Sequence, residues 1–302
     1  MGSDLAVAFP PQMQEREADA IARHQLRKEI IATKLANRII NRLGLVHPYE
    51  LAEEEGCSLS DMASAFVVAD HLFGVSALWN EIDATEMPEA GRLALLGLVA
   101  GAMHAHMAAI VRELPTGFTP GEGIDKLKPG VARMGETVDA ILTESLLLRA
   151  ATMEDELEVL GVPGSLAQRT SHLYEMEGIV GIASLTARLG GDVVDIAGAV
   201  VRLGEATGIH WLQMNAARLE PSDPWERQLL SGITHDMQKV RLDLIARLGV
   251  EDIGGQVDTW LSQQAPRVAQ LHHQLSRAQS AHTPTVAMVA ELAGQARMLM
   301  SR

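Results

Sequence analysis

GLVHPYELAEEEGCSLSDMASAFVVADHLFGVSAL, residues 44–78, and GIVGIASLTARLGGDVVDIAGAVVRLGEATGIHWL, residues 178–212, stand 134 positions apart and align without a gap. Ten of the 35 positions are identical, among them Gly44/Gly178, Leu51/Leu185, Gly56/Gly190, Asp61/Asp195, Gly74/Gly208 and Leu78/Leu212. Conservative pairs such as Leu45/Ile179, Leu59/Val193, Phe66/Val200 and Val75/Ile209 keep one apolar face in both. In each segment a short helix stops at a glycine, a polar residue (Ser58 or Asp192) follows, and an acid comes three residues later. Such a residue and acid suit the unpaired amides and positive end of a helix N-terminus. The unit predicted twice is therefore helix, tight turn, helix.

Around this pair the chain reads as helical throughout. Its 302 residues are ample for a hydrophobic core, and an apolar fraction of 47% with 21% charged residues excludes disorder and fibrous repeats. Only ten aromatic residues are present (Trp 4, Tyr 2, Phe 4), few for sheets, which lean on aromatic and β-branched side chains. The expected fold is all-α, a multi-helix array of two similar lobes with further helices after them. The lobes are placed at 1–113 and 131–220, with a linker loop at 114–130 and C-terminal helices at 221–302. The linker reading rests on Pro115, Gly117, Pro120, Gly121, Gly123, Pro129 and Gly130. Residues 131–160 are predicted helical up to Gly161-Val-Pro-Gly164, with Ser165 opening the next helix. Asp223 and Pro224 should open a helix running to about Gly249, another surrounds Val268, Leu271 and Leu275, and Thr283-Pro284 should open the last.

Residues 15–43 are expected to form one long, mostly buried helix, because Leu26, Ile30, Ile31, Leu35, Ile39, Ile40 and Leu43 cover more than half its circumference. Thr33 and Asn37 fall inside that arc, where a buried amide must find a partner. The other arc collects Arg23, Arg27, Lys34, Arg38 and Arg42, a basic stripe that is either a solvated face or a dock for an acidic surface. Residues 93–111, LALLGLVAGAMHAHMAAIV, carry no permanent charge and approach the length of a bilayer span. His104 and His106 within them and the lack of flanking Trp or Tyr favour a buried core helix, so no membrane partner is expected.

Several function classes recede on charge and motif. With 25 basic against 39 acidic residues the net charge is −14, a field that repels phosphate backbones. The second helix of each unit offers AFVVADHLF or AVVRLGEAT rather than the Arg, Asn and Gln of base readout, so nucleic acid is not an expected partner. No acid precedes any histidine at the three- or four-residue spacing of helical metal sites, and His104 and His106 point away from each other, so no metal ligands are assigned. There is no Gly-Lys pair for a phosphate loop and no G-x-S-x-G elbow. The single Cys57 sits at a turn and fits a reducing compartment, and Met1–Gln14 lack signal-peptide features, so a cytoplasmic place is expected. No catalytic or cofactor-binding residue is assigned.

HQLRKEIIATKLANRIINRLG at 24–44 closely resembles the C-terminal region of the large bacterial NAD-dependent glutamate dehydrogenases. The resemblance continues through LAEEEGCSLSDMASAFVVADHLFGVSALW at 51–79, LAQR at 166–169 and LGEATGIHWL at 203–212, and more loosely around Asp223-Pro-Trp225. It implies a parent reaction, oxidative deamination of L-glutamate to 2-oxoglutarate and ammonium with NAD as hydride acceptor. The nucleotide-binding catalytic domain of that family lies upstream of the resembling region, so no catalytic or NAD-binding residue carries over. The resemblance thus implies a structural, assembly or regulatory part whose partner is the catalytic part, within a homo-oligomeric enzyme. The alternative is a stand-alone helical module that binds a small molecule or a protein, with a cleft between the lobes as its pocket.

Overall fold

The computed structural model describes residues 5–137, 144–219, 222–280 and 284–301. Among them are sixteen helices and no strand, as the all-α expectation requires. The N-terminal segment holds α1 (Pro11–Arg16), α2 (Ala18–Ala22) and α3 (Arg27–Leu43). Next come α4 (His47–Glu55), α5 (Leu59–Phe73), α6 (Val75–Ala84), α7 (Glu89–Glu113) and α8 (Pro120–Gly135). The second half continues with α9 (Glu144–Val159), α10 (Gly164–Glu175), α11 (Ile179–Leu189), α12 (Val193–Thr207) and α13 (Ile209–Arg218). It closes with α14 (Pro224–Leu248), α15 (Ile253–Gln279) and α16 (Val286–Met300).

The helix limits follow the sequence pairing. α12 and α13 begin and end 134 residues after α5 and α6, and Leu189, which ends α11, stands at the same offset from Glu55, which ends α4. Gly74 and Gly208 match as well, both left-handed with φ of 64° and 75°, whereas Gly56 and Gly190 share a positive φ (62° and 79°) but differ in ψ (35° and −163°), so the first turn of each unit is built differently. At α5, Ser58 and Asp61 form the full reciprocal cap: the Ser58 hydroxyl accepts from the Asp61 amide (3.1 Å) and the Asp61 carboxylate accepts from Ser58. The other Asp61 oxygen accepts from the Gly117 amide (2.9 Å), tying the α7–α8 connection to the start of α5. At α12 the cap is simpler, Asp192 accepting from the Val194 amide (2.8 Å), and Asp195 lies exposed outside it.

Several sequence expectations fail here. Residues 15–43 are not one helix: the imidazole of His24 accepts the Leu26 amide (3.1 Å), a local bond that competes with the helical ladder and separates α2 from α3. Nor is α3 mostly buried. Ile39 alone is fully buried on it, while Leu26, Ile40, Thr33 and Asn37 are exposed, because α3 is packed on one side only, by α4, α5 and α7. The stretch 114–130 is not a loop throughout, since α8 starts at Pro120 with Thr119 and Glu122 in a reciprocal cap. Pro129 sits within this helix. Residues 131–160 accordingly divide between α8 and α9, and 138–143 between them lie outside the described residues. α8 packs against both α5 and α11, so it joins the two paired segments.

The remaining limits follow their caps. Asp223 accepts from the Glu226 amide (2.9 Å) at the start of α14, which ends before Gly249. The last helix is capped by Thr285, two residues beyond the expected Thr283, which lies outside the described residues. α7 is the long apolar helix. By length and composition it is the one described helix able to cross a membrane, and α4, α5, α6, α10 and α11 all pack against it. Leu95, Val99, Met103, Met107 and Ile110 are fully buried core residues on it, and truncating Leu95, Met103, Met107 or Ile110 to Ala is expected to cost about 2–5 kcal/mol.

Candidate functional site

The most unusual polar group is Arg241, near the middle of α14, only 5% exposed. Its Nε donates to the Met237 carbonyl (3.1 Å), Nη2 to Gln213 Oε1 on α13 (2.7 Å) and Nη1 to the Val200 carbonyl on α12 (3.5 Å). All three acceptors are neutral, and burial pulls the guanidinium down to about 10. Gly204 makes room for it: a Cβ there would stand 2.7 Å from both Arg241 Nη1 and His210 Nε2. His210 Nε2 is buried and has no hydrogen-bond partner among the described residues. Burial first, and then the Arg241 charge, hold its imidazole at about 4, so it is neutral at physiological pH.

Arg241, His210 and Gln213 line a cavity of about 180 Å³. Its walls come mainly from residues 146–241, with Met134 of α8, so it lies within the second half of the chain. Gln238 closes one side by donating to the Gly178 carbonyl (2.9 Å), and Glu177, its carboxyl pushed up by burial, lines another. The cavity thus presents largely apolar walls with two guanidinium groups, Arg149 and Arg241, the carboxyl groups of Glu175 and Glu177, and one nitrogen, His210 Nε2, without a hydrogen-bond partner among the described residues. Sequence reading missed this centre, since Arg241 falls within an ordinary amphipathic pattern; the glycine at 204, unusual inside a helix, was the available signal.

A second polar cluster joins α4 and α7. His104 Nδ1 and His47 Nε2 are 3.3 Å apart, and Glu54 lies 3.7 Å from His104 Nε2. Burial holds His104 at about 4, with His47 and Arg112 adding to the effect, and burial also lowers His47. Both rings are therefore neutral near pH 7 and can share one N–H. His106, two residues on, faces elsewhere: it is fully buried, stacks on Phe73 and donates to the Leu173 carbonyl (3.1 Å). Among the described residues no group of three or more His, Cys, Asp or Glu side chains could hold a metal ion. Cys57 donates its amide to the Ala52 carbonyl at the α4 stop, and burial with Asp61 nearby raises its thiol, which leaves it a poor nucleophile.

The basic stripe does not stay together. Arg23 ends α2 and donates to the Asp19 carbonyl, whereas Arg27, Lys34, Arg38 and Arg42 belong to α3. Arg38 and Arg42 turn back onto their own chain. Arg38 lies 3.7 Å from Asp70 and 5.4 Å from the Phe66 ring centre; Arg42 makes a two-pronged bond to Asp83 (2.6 and 3.3 Å) and lies 5.5 Å from the Trp79 ring centre.

Comparison with known proteins matches the helical chain to one family. A chain from Halomonas elongata described as NAD-specific glutamate dehydrogenase is 26% identical over 264 residues, covering 84% of this chain and 16% of that protein. Proteins of the same description from Pseudomonas aeruginosa (25% over 301 residues, 95% and 18%) and Mycobacterium tuberculosis (26% over 242 residues, 78% and 14%) are similar. The chain spans less than a fifth of the length of these relatives. The family model described as glutamate dehydrogenase, C-terminal, matches residues 1–297, and the chain belongs to that family.

Proposed function

We propose that this helical region serves an NAD-dependent glutamate dehydrogenase as a structural, assembly or regulatory part, with hydride transfer carried out by the catalytic part of the enzyme. One observation carries this reading. A nicotinamide dinucleotide is normally positioned by a parallel sheet whose first turn receives the pyrophosphate, and the described residues form helices alone. The buried polar centres fit the same reading: Arg241 links α12, α13 and α14, and His47 with His104 links α4 and α7, without a nucleophile paired to a base. The parent acts on L-glutamate and NAD as a homo-oligomer in the cytoplasm, and this region binds neither NAD, nucleic acid nor membrane. The purified chain with glutamate and NAD should produce no NADH and should co-sediment with the catalytic part of the enzyme. Turnover by the chain alone overturns the reading.

The alternative, a module that binds a small molecule, is favoured by the cavity beside Arg241 and the unused His210 nitrogen. Its pocket would then be that cavity within the second half of the chain. Stabilisation of the chain against heat by a small carboxylate, lost in Arg241→Met, would support it.

A further inference from the structure

The paired segments match in helix limits but differ in one face. Leu45, Val46, Tyr49 and Leu59 are 45–63% exposed, whereas their counterparts Ile179, Val180, Ala183 and Val193 are at most 5% exposed. The difference comes from what packs there. α11 is covered by α8 and α7 as well as by α12 and α14; α4 has the equivalents of the last two, α5 and α7, and is otherwise packed by α3, with one ion pair from Glu50 to Arg227 at the start of α14 (3.8 Å). α8 is the principal cover: Gly130 faces Ala183 so closely that a Cβ on it would meet the alanine at 2.7 Å, with Val193 at 3.8 Å.

The order of helices says where the missing cover belongs. α10 falls on α3 at the same offset, α14 on α7 to within a residue, and the start of α15 on the start of α8, with α15 packing on α12 as α8 packs on α5. The chain is therefore one cyclic order of helices passed through twice, beginning after the first element. Shifted back by the offset, all but the last position of α8 falls ahead of residue 1, outside the described sequence. In the relatives, more than four fifths of the length lies outside the matched region, and the matched family is the C-terminal one.

We propose that Leu45, Val46, Tyr49 and Leu59 form a docking surface for a helix of the dehydrogenase polypeptide that precedes this region, seated as α8 is seated on α11. This rests on the reading of the chain as the C-terminal part of such an enzyme. The contact differs in one respect. Tyr49 stands where Ala183 stands, so the incoming helix offers a recess for an aromatic ring in place of the glycine that α8 brings. A second copy of this chain fits less well. Its α15, the counterpart of α8, turns Ser262, Gln263, Arg267 and Gln270 outward among the small Ala265, Pro266 and Ala269, a mixed surface without large apolar side chains to bury against such a face.

The test compares hydroxyl-radical labelling of Tyr49 in the chain alone and in the chain joined to, or mixed with, the catalytic part of its own enzyme, with association followed by sedimentation. Leu93 is the control, since it and its counterpart Arg227 are both exposed. Labelling of Tyr49 should fall at least fivefold on association while Leu93 is unchanged, and Val46→Glu should weaken association at least tenfold. Association with Tyr49 labelled as before overturns the docking surface and leaves the domain reading standing. Absence of any association overturns both. Concentration-dependent dimers of the chain alone, with Tyr49 protected, assign the surface to a second copy and overturn the proposed occupant.

Discussion

Gly130 of α8 rests against Ala183 of α11 so tightly that a Cβ on the glycine would come 2.7 Å from the alanine Cβ and 3.0 Å from its Cα. The second of these contacts is backbone, so relief requires the helices themselves to separate. Replacing a helix-interior glycine by alanine ordinarily gains up to about 1 kcal/mol. At this contact overpacking costs about 1–3 kcal/mol, and the steric cost wins. Gly130→Ala should lower the denaturation midpoint, whereas Gly97→Ala on α7, where a Cβ meets nothing within 4 Å, should raise it. Equal shifts for both variants would show that α8 and α11 are not in close contact.

Arg241 is held by neutral oxygens, which makes the charge itself a burden. Gln213 supplies its shortest bond, and removing that acceptor by Gln213→Ala should cost about 1–3 kcal/mol, because a buried cation loses a partner. Arg241→Met keeps much of the volume and removes the desolvated charge, so its cost should be under about 1 kcal/mol. In the Arg241→Met background, Gln213→Ala should then cost little. Urea denaturation of the four proteins gives the coupling directly, and additive losses would count against the pairing.

His106 makes stability depend on pH. Burial lowers its pKa to about 4 in the folded chain, against about 6.5 for an ordinary imidazole. Between those values the unfolded chain binds more protons than the folded one, so stability is complete above about pH 7 and is lost as the pH falls. The loss attributable to this residue should reach about 2 kcal/mol on going from pH 7 to pH 5. His106→Gln, which can still donate to the Leu173 carbonyl, should be less stable at neutral pH yet show a flatter dependence over that interval. Parallel curves for the two proteins would place the titration elsewhere.

The sequence shows where helices end more clearly than what covers them. α5 and α12 were legible because Ser58 and Asp192 supply side-chain acceptors where the first amides lack partners, and because Gly74 and Gly208 take the left-handed turn that ends each helix. The apolar arc of α3 was equally legible, but periodicity defines a face without stating whether anything packs on it, and much of that face stays exposed. The same applies to Leu45, Val46 and Tyr49, whose counterparts are buried. The glycines and prolines after Pro115 have the composition of a loop, yet Thr119-Pro120 followed by Glu122 is a helix-start signature, and the helix forms. The Arg241 centre could not be read, since it depends on residues from three helices meeting.

The fate of the basic residues of α3 gives the last prediction. Arg38 and Arg42 lie over the Phe66 and Trp79 rings and against Asp70 and Asp83, so their side chains hold α3 to its own chain. The Asp83 side chain is half exposed, and such a pair is worth about 0–1 kcal/mol and fades with salt; the ring contact adds about 0.5–1 kcal/mol. Arg42→Glu should therefore destabilise the chain in a way that persists at high salt, since the ring contact and the repulsion from Asp83 are short-ranged. Arg27 is exposed and Lys34 half-buried, and reversing both to Glu should leave the chain's own stability within about 0.5 kcal/mol. If these two meet an acidic surface on the rest of the enzyme, the double reversal should weaken assembly most at low salt, where screening is least. Sedimentation of the full enzyme across salt concentrations separates the cases: unchanged assembly makes Arg27 and Lys34 a solvated face, and a loss that does not respond to salt points to a packing defect.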